Sequence, residues 1–208
     1  MPLAVPKLRT LPERLNRYSN NSALYAALVE AGEMREIGEK AGYKAQPSYR
    51  LIRVDHRLDT AEVKKIEIAL VDDTESSVAY YHQVTLDYIP EVSSRYVAHN
   101  QVWRSGNKRH SVALHDISQT VLFGYVIHSY DLLLAKNAVS GNGPFYWHRQ
   151  VSRAIEHGLY VYAYEPVKLT LRRISTQGEL NDIESLVWSN IGHDPVLALI
   201  SCHPLGKR

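Results

Sequence analysis

The sequence predicts an α+β domain with a mixed, mainly antiparallel sheet and helices packed on it. Three observations carry this. Between Pro47 and Val112 four short segments rich in β-branched and aromatic residues follow one another, SYRLIRVDH, KIEIALVDD, VAYYHQVTLDYI and SRYVAHNQVWR, which is the pattern of successive antiparallel strands. Beyond residue 120, strand-like and helix-like segments alternate, and that alternation puts helices against a mixed sheet. The 208 residues, 45% hydrophobic and 22% charged, suffice for one domain of ordinary size.

Residues 1–20 read as an extended basic arm, since Pro2, Pro6 and Pro12 alternate there with Lys7, Arg9, Arg14 and Arg17. Residues 21–208 read as a single α+β domain. Its first helix is expected over 22–40, capped by Asn20, Asn21 or Ser22, with Leu24, Leu28, Met34 and Ile37 on one stripe and Gly42 beyond its end. The strands follow, with period-two alternation clearest in Ile66, Ile68 and Leu70, and with Asp72-Asp73-Thr74-Glu75-Ser76-Ser77 as an acidic hairpin connector. The second half reads as strands at 120–129 and 131–136, a helix at 144–157, strands at 160–165 and 167–173, a helix at 176–189 and a strand at 196–201. Pro144 suits a first helical position, Gly158 the residue past a helix end, and Ser175 or Thr176 a cap.

Composition excludes several classes of function. A net charge of +2 is too mild for a nucleic-acid partner without a clustered basic face. One cysteine, Cys202, forbids an internal disulfide and Cys-based zinc sites. Prolines and charges interrupt the N-terminus where a signal peptide needs an apolar run, and no segment reaches the roughly 18–20 apolar residues of a membrane span. The cytoplasm is the expected compartment. Fourteen tyrosines against two phenylalanines supply side chains with an apolar body and a polar tip, suited to sheet surfaces and contact faces.

Ser140-Gly141-Asn142-Gly143, set between a strand and a helix ending AIEHG followed by YVYAY, resembles the acetyl-CoA loop of GCN5-related N-acetyltransferases over about 45 residues. The resemblance implies an acetyltransferase-like C-terminal half in which backbone amides of Gly141, Asn142 and Gly143 hold the pyrophosphate of acetyl-CoA at a helix N-terminus. It also implies Tyr160, Tyr162 or Tyr164 as general acid. The chain departs from the family pattern at Ala138, where Gln or Arg is usual, at Pro144, which removes an amide, and at the bulky Phe145, Tyr146 and Trp147. A second resemblance runs from Asn100-Gln101-Val102-Trp103-Arg104 through the Trp147 helix and VYAYE to Val187-Trp188. It is similar to small accessory proteins of phages and conjugative plasmids, some built on a catalytically silent acetyltransferase-like scaffold. That likeness implies an anti-defence or fertility-inhibition factor whose partner is a host or plasmid protein.

Other chemistries find little support. Ten histidines form no HExxH, and the nearest grouping is His110 with His115-Asp116, so no metal is expected. No GxSxG elbow occurs, Cys202 and His203 are strand neighbours pointing to opposite faces, and Gly106-Asn107-Lys108 is no Walker loop. Arg104, Lys108 and Arg109 make a basic turn after VWRSGN, and Arg172-Arg173 end a strand; the first three are the candidate contacts for an acidic partner. The reading is a non-catalytic cytoplasmic protein-binding factor of the mobile-element inhibitor type, without a cofactor. The alternative is a coenzyme A-dependent N-acyltransferase using Gly141, Asn142 and Gly143, and a nucleic-acid binder ranks behind both.

Overall fold

Side-chain alternation sorts the strands into one sheet with two apolar faces. The computed structural model describes residues 15–135, 143–189 and 196–206, side chains excepted at 143, 144 and 184–189. Its strands are β1 (Met34–Glu36), β2 (Tyr49–Asp55), β3 (Lys64–Asp72), β4 (Ser77–Asp87), β5 (Val97–Arg104), β6 (Asp131–Leu134), β7 (Tyr160–Glu165), β8 (Thr170–Ile174) and β9 (Leu197–Ser201). In β3, Ile66, Ile68 and Leu70 join one core while Ala69 and Val71 join another, so the strand is apolar on both sides and belongs inside a sheet. The order is β1-β2-β3-β4-β5-β6-β9-β7-β8. Every neighbouring pair is antiparallel except β5 and β6, which run parallel. The class is therefore the expected α+β with a mixed, mainly antiparallel sheet.

On one face lie α2 (Gly38–Ala41), a continuous helical run at 117–129, α5 (Gly143–Glu156) and α6 (Gln177–Ser189). The run is α3 (Ile117–Val121), a π-helical turn (Leu122–Val126) and α4 (Ile127–Ser129). The expected strand at 120–129 is thus helical. An apolar run cannot distinguish a buried strand from a buried helix, and here Val121, Leu122, Val126 and Ile127 are all buried between the sheet and its neighbours. Gly124 permits this packing, because a Cβ at that position would lie 2.5 Å from the Ala41 carbonyl oxygen.

The opposite face is divided. Over its N-terminal half lies α1 (Tyr18–Val29), burying Leu28 against Ile52, Val54 and Tyr81. The Asn21 side chain takes the place of a strand neighbour, with Oδ1 accepting from Val78 N at 2.7 Å and Nδ2 donating to Val78 O at 3.0 Å. The helix expected to reach residue 40 stops at Val29, because Met34 and Ile37 serve opposite faces of the sheet and the segment between them pairs with β2. Of the N-terminal arm, residues 1–14 lie outside the described residues. Leu15 is buried in the α1 cluster, and Asn16 accepts the Trp103 indole proton at 3.2 Å.

Over the C-terminal half of that face, Tyr162, Tyr164, Leu133 and Leu199 are covered by Ile89 and Val92 from the β4–β5 connection. A clasp holds the connection down: Arg95 donates to Asp131 at 3.0 Å and to the Ile127 carbonyl at 2.8 Å, and Ser93 completes the buried Asp131 carboxylate. The α5–β7 junction is as read from the sequence. Gly158 adopts φ +70, its N–H reaches Ile155 O at 3.0 Å and that of Leu159 reaches Ala154 O at 3.0 Å, which closes the helix end. Thr176 caps α6, its Oγ1 accepting from Glu179 N at 3.2 Å while the Glu179 carboxylate takes Ser175 N at 2.6 Å.

Candidate functional site

The parallel pair is where the sheet can open. Strands β5 and β6 share three register positions, Val97 with Asp131, Ala98 with Leu132 and His99 with Leu133. Beyond them β5 continues along β4 as far as Arg104, while β6 stays with β9. A fork results at the carboxyl ends of the two strands, the position at which open sheets commonly admit ligands because main-chain groups are left unpaired.

Here side chains occupy those groups. Asn100, the first β5 residue past the last shared pair, donates from Nδ2 to Ala98 O at 2.7 Å and to Leu133 O at 3.3 Å. Trp147 of α5, 2% exposed, donates its indole proton to Leu134 O at 3.1 Å. His82 Nε2 lies 2.7 Å from Asn100 Oδ1, and since that oxygen only accepts, the imidazole proton sits on Nε2. Nδ1 is then the acceptor facing Tyr80 Oη at 3.4 Å.

The titratable groups of this cluster are held in their neutral forms. His82 is fully buried, and desolvation, opposed only by the Asn100 hydrogen bond, pushes its pKa down to about 4. Burial holds the Tyr80 and Tyr146 phenols well above their ordinary value, and both hydroxyls face Ser118 of α3. Gln150 Oε1, one helical turn beyond Tyr146 on α5, is buried without a hydrogen-bond partner among the described residues. The arrangement locks α5, β4, β5 and β6 together through polar contacts. The imidazole has both nitrogens hydrogen-bonded, and its lowered pKa keeps the ring neutral near pH 7.

The sequence-derived candidates fall elsewhere. Gly141 and Asn142 lie outside the described residues, and Gly143 opens α5. Between β6, the strand before Gly141, and β7, the strand after Gly158, lies β9, which pairs with both. Tyr160, Tyr162 and Tyr164 point to the face opposite α5, because Val161 and Ala163 take the helix side of β7. Tyr162 Oη accepts from Leu205 N at 2.9 Å, and the Tyr164 phenol is pushed up by burial and by the nearby Glu91 and Asp87 charges.

Arg104 ends β5, and Lys108 and Arg109 lie in the 3-10 turn Lys108–His110, all three exposed. The Arg109 guanidinium is engaged by Asp72 at 2.9 Å and Glu75 at 2.8 Å, which ties the turn to the β3–β4 hairpin. His110 is buried there, its Nδ1 2.9 Å from Tyr49 Oη, whereas His115 is exposed. Arg172 and Arg173 stand on β8, separated from β5 by β6, β9 and β7. Among the described residues no group of three or more His, Cys, Asp or Glu side chains is placed to hold a metal ion. Nor is any helix among them long and apolar enough to cross a membrane.

Sequence reasoning passed over His82 and Asn100. Their signal was a polar residue at an inward position of an otherwise apolar strand, in VAYYHQV and VAHNQVW. No protein-family model matches the chain, and no curated protein and no solved structure is significantly similar to it.

Proposed function

We propose that this chain works by binding another protein, as a non-catalytic accessory factor of the inhibitor type. The observation that carries the reading is the filled fork. An extended ligand such as the pantetheine arm of a coenzyme, if it were to enter between β5 and β6, would compete with Asn100 for Leu133 O and with Trp147 for Leu134 O. Displacing either leaves a buried amide or indole unpaired, a penalty of roughly 1–3 kcal/mol per group. The tyrosines of β7 add support, because they face away from the helix whose N-terminus would hold a cofactor. Binding surface is abundant: Tyr88 and Tyr96 are 53% and 46% exposed with ring centroids 5.6 Å apart on the connection that covers β7. The likeness to phage and plasmid accessory proteins gives the class of partner, a host or plasmid protein in the cytoplasm.

Thermal unfolding in millimolar acetyl-CoA separates this from the coenzyme A-dependent acyltransferase reading. Ligand at 100 times its dissociation constant adds about 2.7 kcal/mol, a plain rise in Tm. No rise is expected, and a clear one would move the function to acyl transfer. The positive arm is affinity capture with the intact chain, followed by loss of the captured protein when Tyr88 and Tyr96 are replaced by serine or when Arg172 and Arg173 are replaced by glutamate.

A further inference from the structure

We propose that the outer edge of β8 is a docking strand, to which an extended acidic segment of the partner protein adds by main-chain pairing; this rests on the protein-binding reading and names the site and the chemistry of the partner. The sheet has two ends, β1 and β8. At the β1 end the charges are satisfied internally, since Arg35 pairs with Asp55 and Glu36 with Arg50. That three-residue strand offers little ladder and no uncompensated charge.

The β8 end differs on each count. Its five residues run in unbroken register with β7, from Glu165 opposite Thr170 to Val161 opposite Ile174, and contain no proline. No described strand pairs with its other side, so a row of N–H and C=O groups faces outward, the template that a further strand needs. Ile174 is buried and anchors the strand, whereas Thr170, Arg172 and Arg173 are exposed. Arg172 and Arg173 project to opposite faces, and neither forms an ion pair among the described residues; Arg173 instead lies over the Tyr160 ring, 5.2 Å from its centroid. Before the strand, Val167 and Leu169 are 67% and 48% exposed, and Leu169 is held at φ +52, a conformation costly for a branched apolar residue.

Charge selects the occupant. Pairing β8 with β8 of a second copy about a two-fold axis would bring arginines against arginines, which is unfavourable in cross-strand positions. A segment with carboxylates on both of its faces meets Arg172 on one side and Arg173 on the other, and its main chain completes the ladder. Surface arginines on an edge also guard against aggregation, so the test must detect pairing itself.

The probe is a capped, fluorescein-labelled hexapeptide with two central glutamates flanked by valine and threonine, and its control replaces the glutamates with lysine. Fluorescence anisotropy against the full chain at low salt should show saturable binding of the glutamate peptide and at least about tenfold weaker binding of the lysine peptide. Amide chemical shifts and slowed hydrogen exchange should concentrate at 170–174. The R172E/R173E variant, whose altered side chains are exposed, should keep the parental Tm and reverse the peptide preference. Equal binding of both peptides, binding without change at the β8 amides, or an R172E/R173E variant with the parental preference would each overturn the proposal. A protein captured equally by the parent and by R172E/R173E would overturn the β8 assignment while leaving the protein-binding reading in place. Concentration-dependent dimers with protected β8 amides would overturn the choice of occupant.

Discussion

Lowering the pH from about 7.5 to about 4.5 should weaken this fold, chiefly through His82. His82 is fully buried, hydrogen-bonded through Nε2 to Asn100, and faces no carboxylate that would stabilise its charged form. Its ordinary pKa of 6.5 falls to about 4 in the folded chain. The fold therefore favours the neutral ring, and the corresponding stability is complete above pH 6.5 and is lost as the pH falls from 6.5 towards 4. At about 1.36 kcal/mol per unit, the loss approaches about 3 kcal/mol, a large share of the roughly 5–15 kcal/mol of a typical domain.

Burial also lowers the pKa values of His99 and His110, so they add in the same direction, while the exposed His56 is raised by Asp59 and Glu33 and opposes them. Urea denaturation of the parent and of His82→Gln at several pH values isolates the His82 part. At neutral pH the variant should be less stable by roughly 1–3 kcal/mol for its disturbed hydrogen bonds. By pH 4.5 the parent should have lost about 3 kcal/mol relative to the variant, which has no proton to take up at this position, so the gap should vanish or reverse. Two stability curves that stay parallel across the whole range would refute the reasoning.

Three further outcomes follow from named contacts. Trp147→Ala should cost about 3–5 kcal/mol in urea denaturation, since it removes the ring over β6 and orphans the Leu134 carbonyl; a parental midpoint would show that the fork is not held by this side chain. Gly124→Ala should destabilise by about 1–3 kcal/mol, although alanine is intrinsically favoured in a helix by about 1 kcal/mol, because the new methyl would sit 2.5 Å from Ala41 O and force α2 and the π turn apart. Arg57→Ala should cost roughly 3–5 kcal/mol by leaving the Glu67 carboxylate, 1% exposed and otherwise bonded by Tyr81, without its counter-charge; the double variant with Glu67→Gln should recover much of the loss in Tm.

Most of the sheet was legible because its strands carry the period-two signal that burial of one or both faces demands. The segments SYRLIRVDH, KIEIALVDD, VAYYHQVTLDYI and SRYVAHNQVWR hold the strands β2 to β5, and the hairpin connector at 72–77 joins β3 to β4. Punctuation worked where one residue had one job, as at Gly158. It failed where tertiary packing decided. TVLFGYVIHS has the composition of a strand, but the crossover between two parallel strands needs a helix, and a helix enclosed by the sheet and its neighbours shows no polar face to reveal itself. Met34 and Ile37 have helical spacing, yet they belong to two cores on opposite sides of the sheet.

The site was less legible for a related reason. Motif reading favours contiguous residues, and it chose Gly141-Asn142-Gly143 and Arg104 with Lys108 and Arg109. The fork is assembled from His82, Asn100, Leu133, Leu134 and Trp147, which come from β4, β5, β6 and α5 and meet only because β6 pairs in parallel with β5. The sequence also could not order the strands beyond the hairpins. Nothing in the chain's order announces that its last strand, β9, lies between the strand before Gly141 and the strand after Gly158, antiparallel to both. That insertion keeps β6 and β7 apart and leaves β8, rather than β9, as the outer strand among the described residues. The strand order thus sets the fork closed by Asn100 and Trp147 inside the sheet, while the outer side of β8, beside which no described strand lies, keeps its main-chain pairing groups open at the rim.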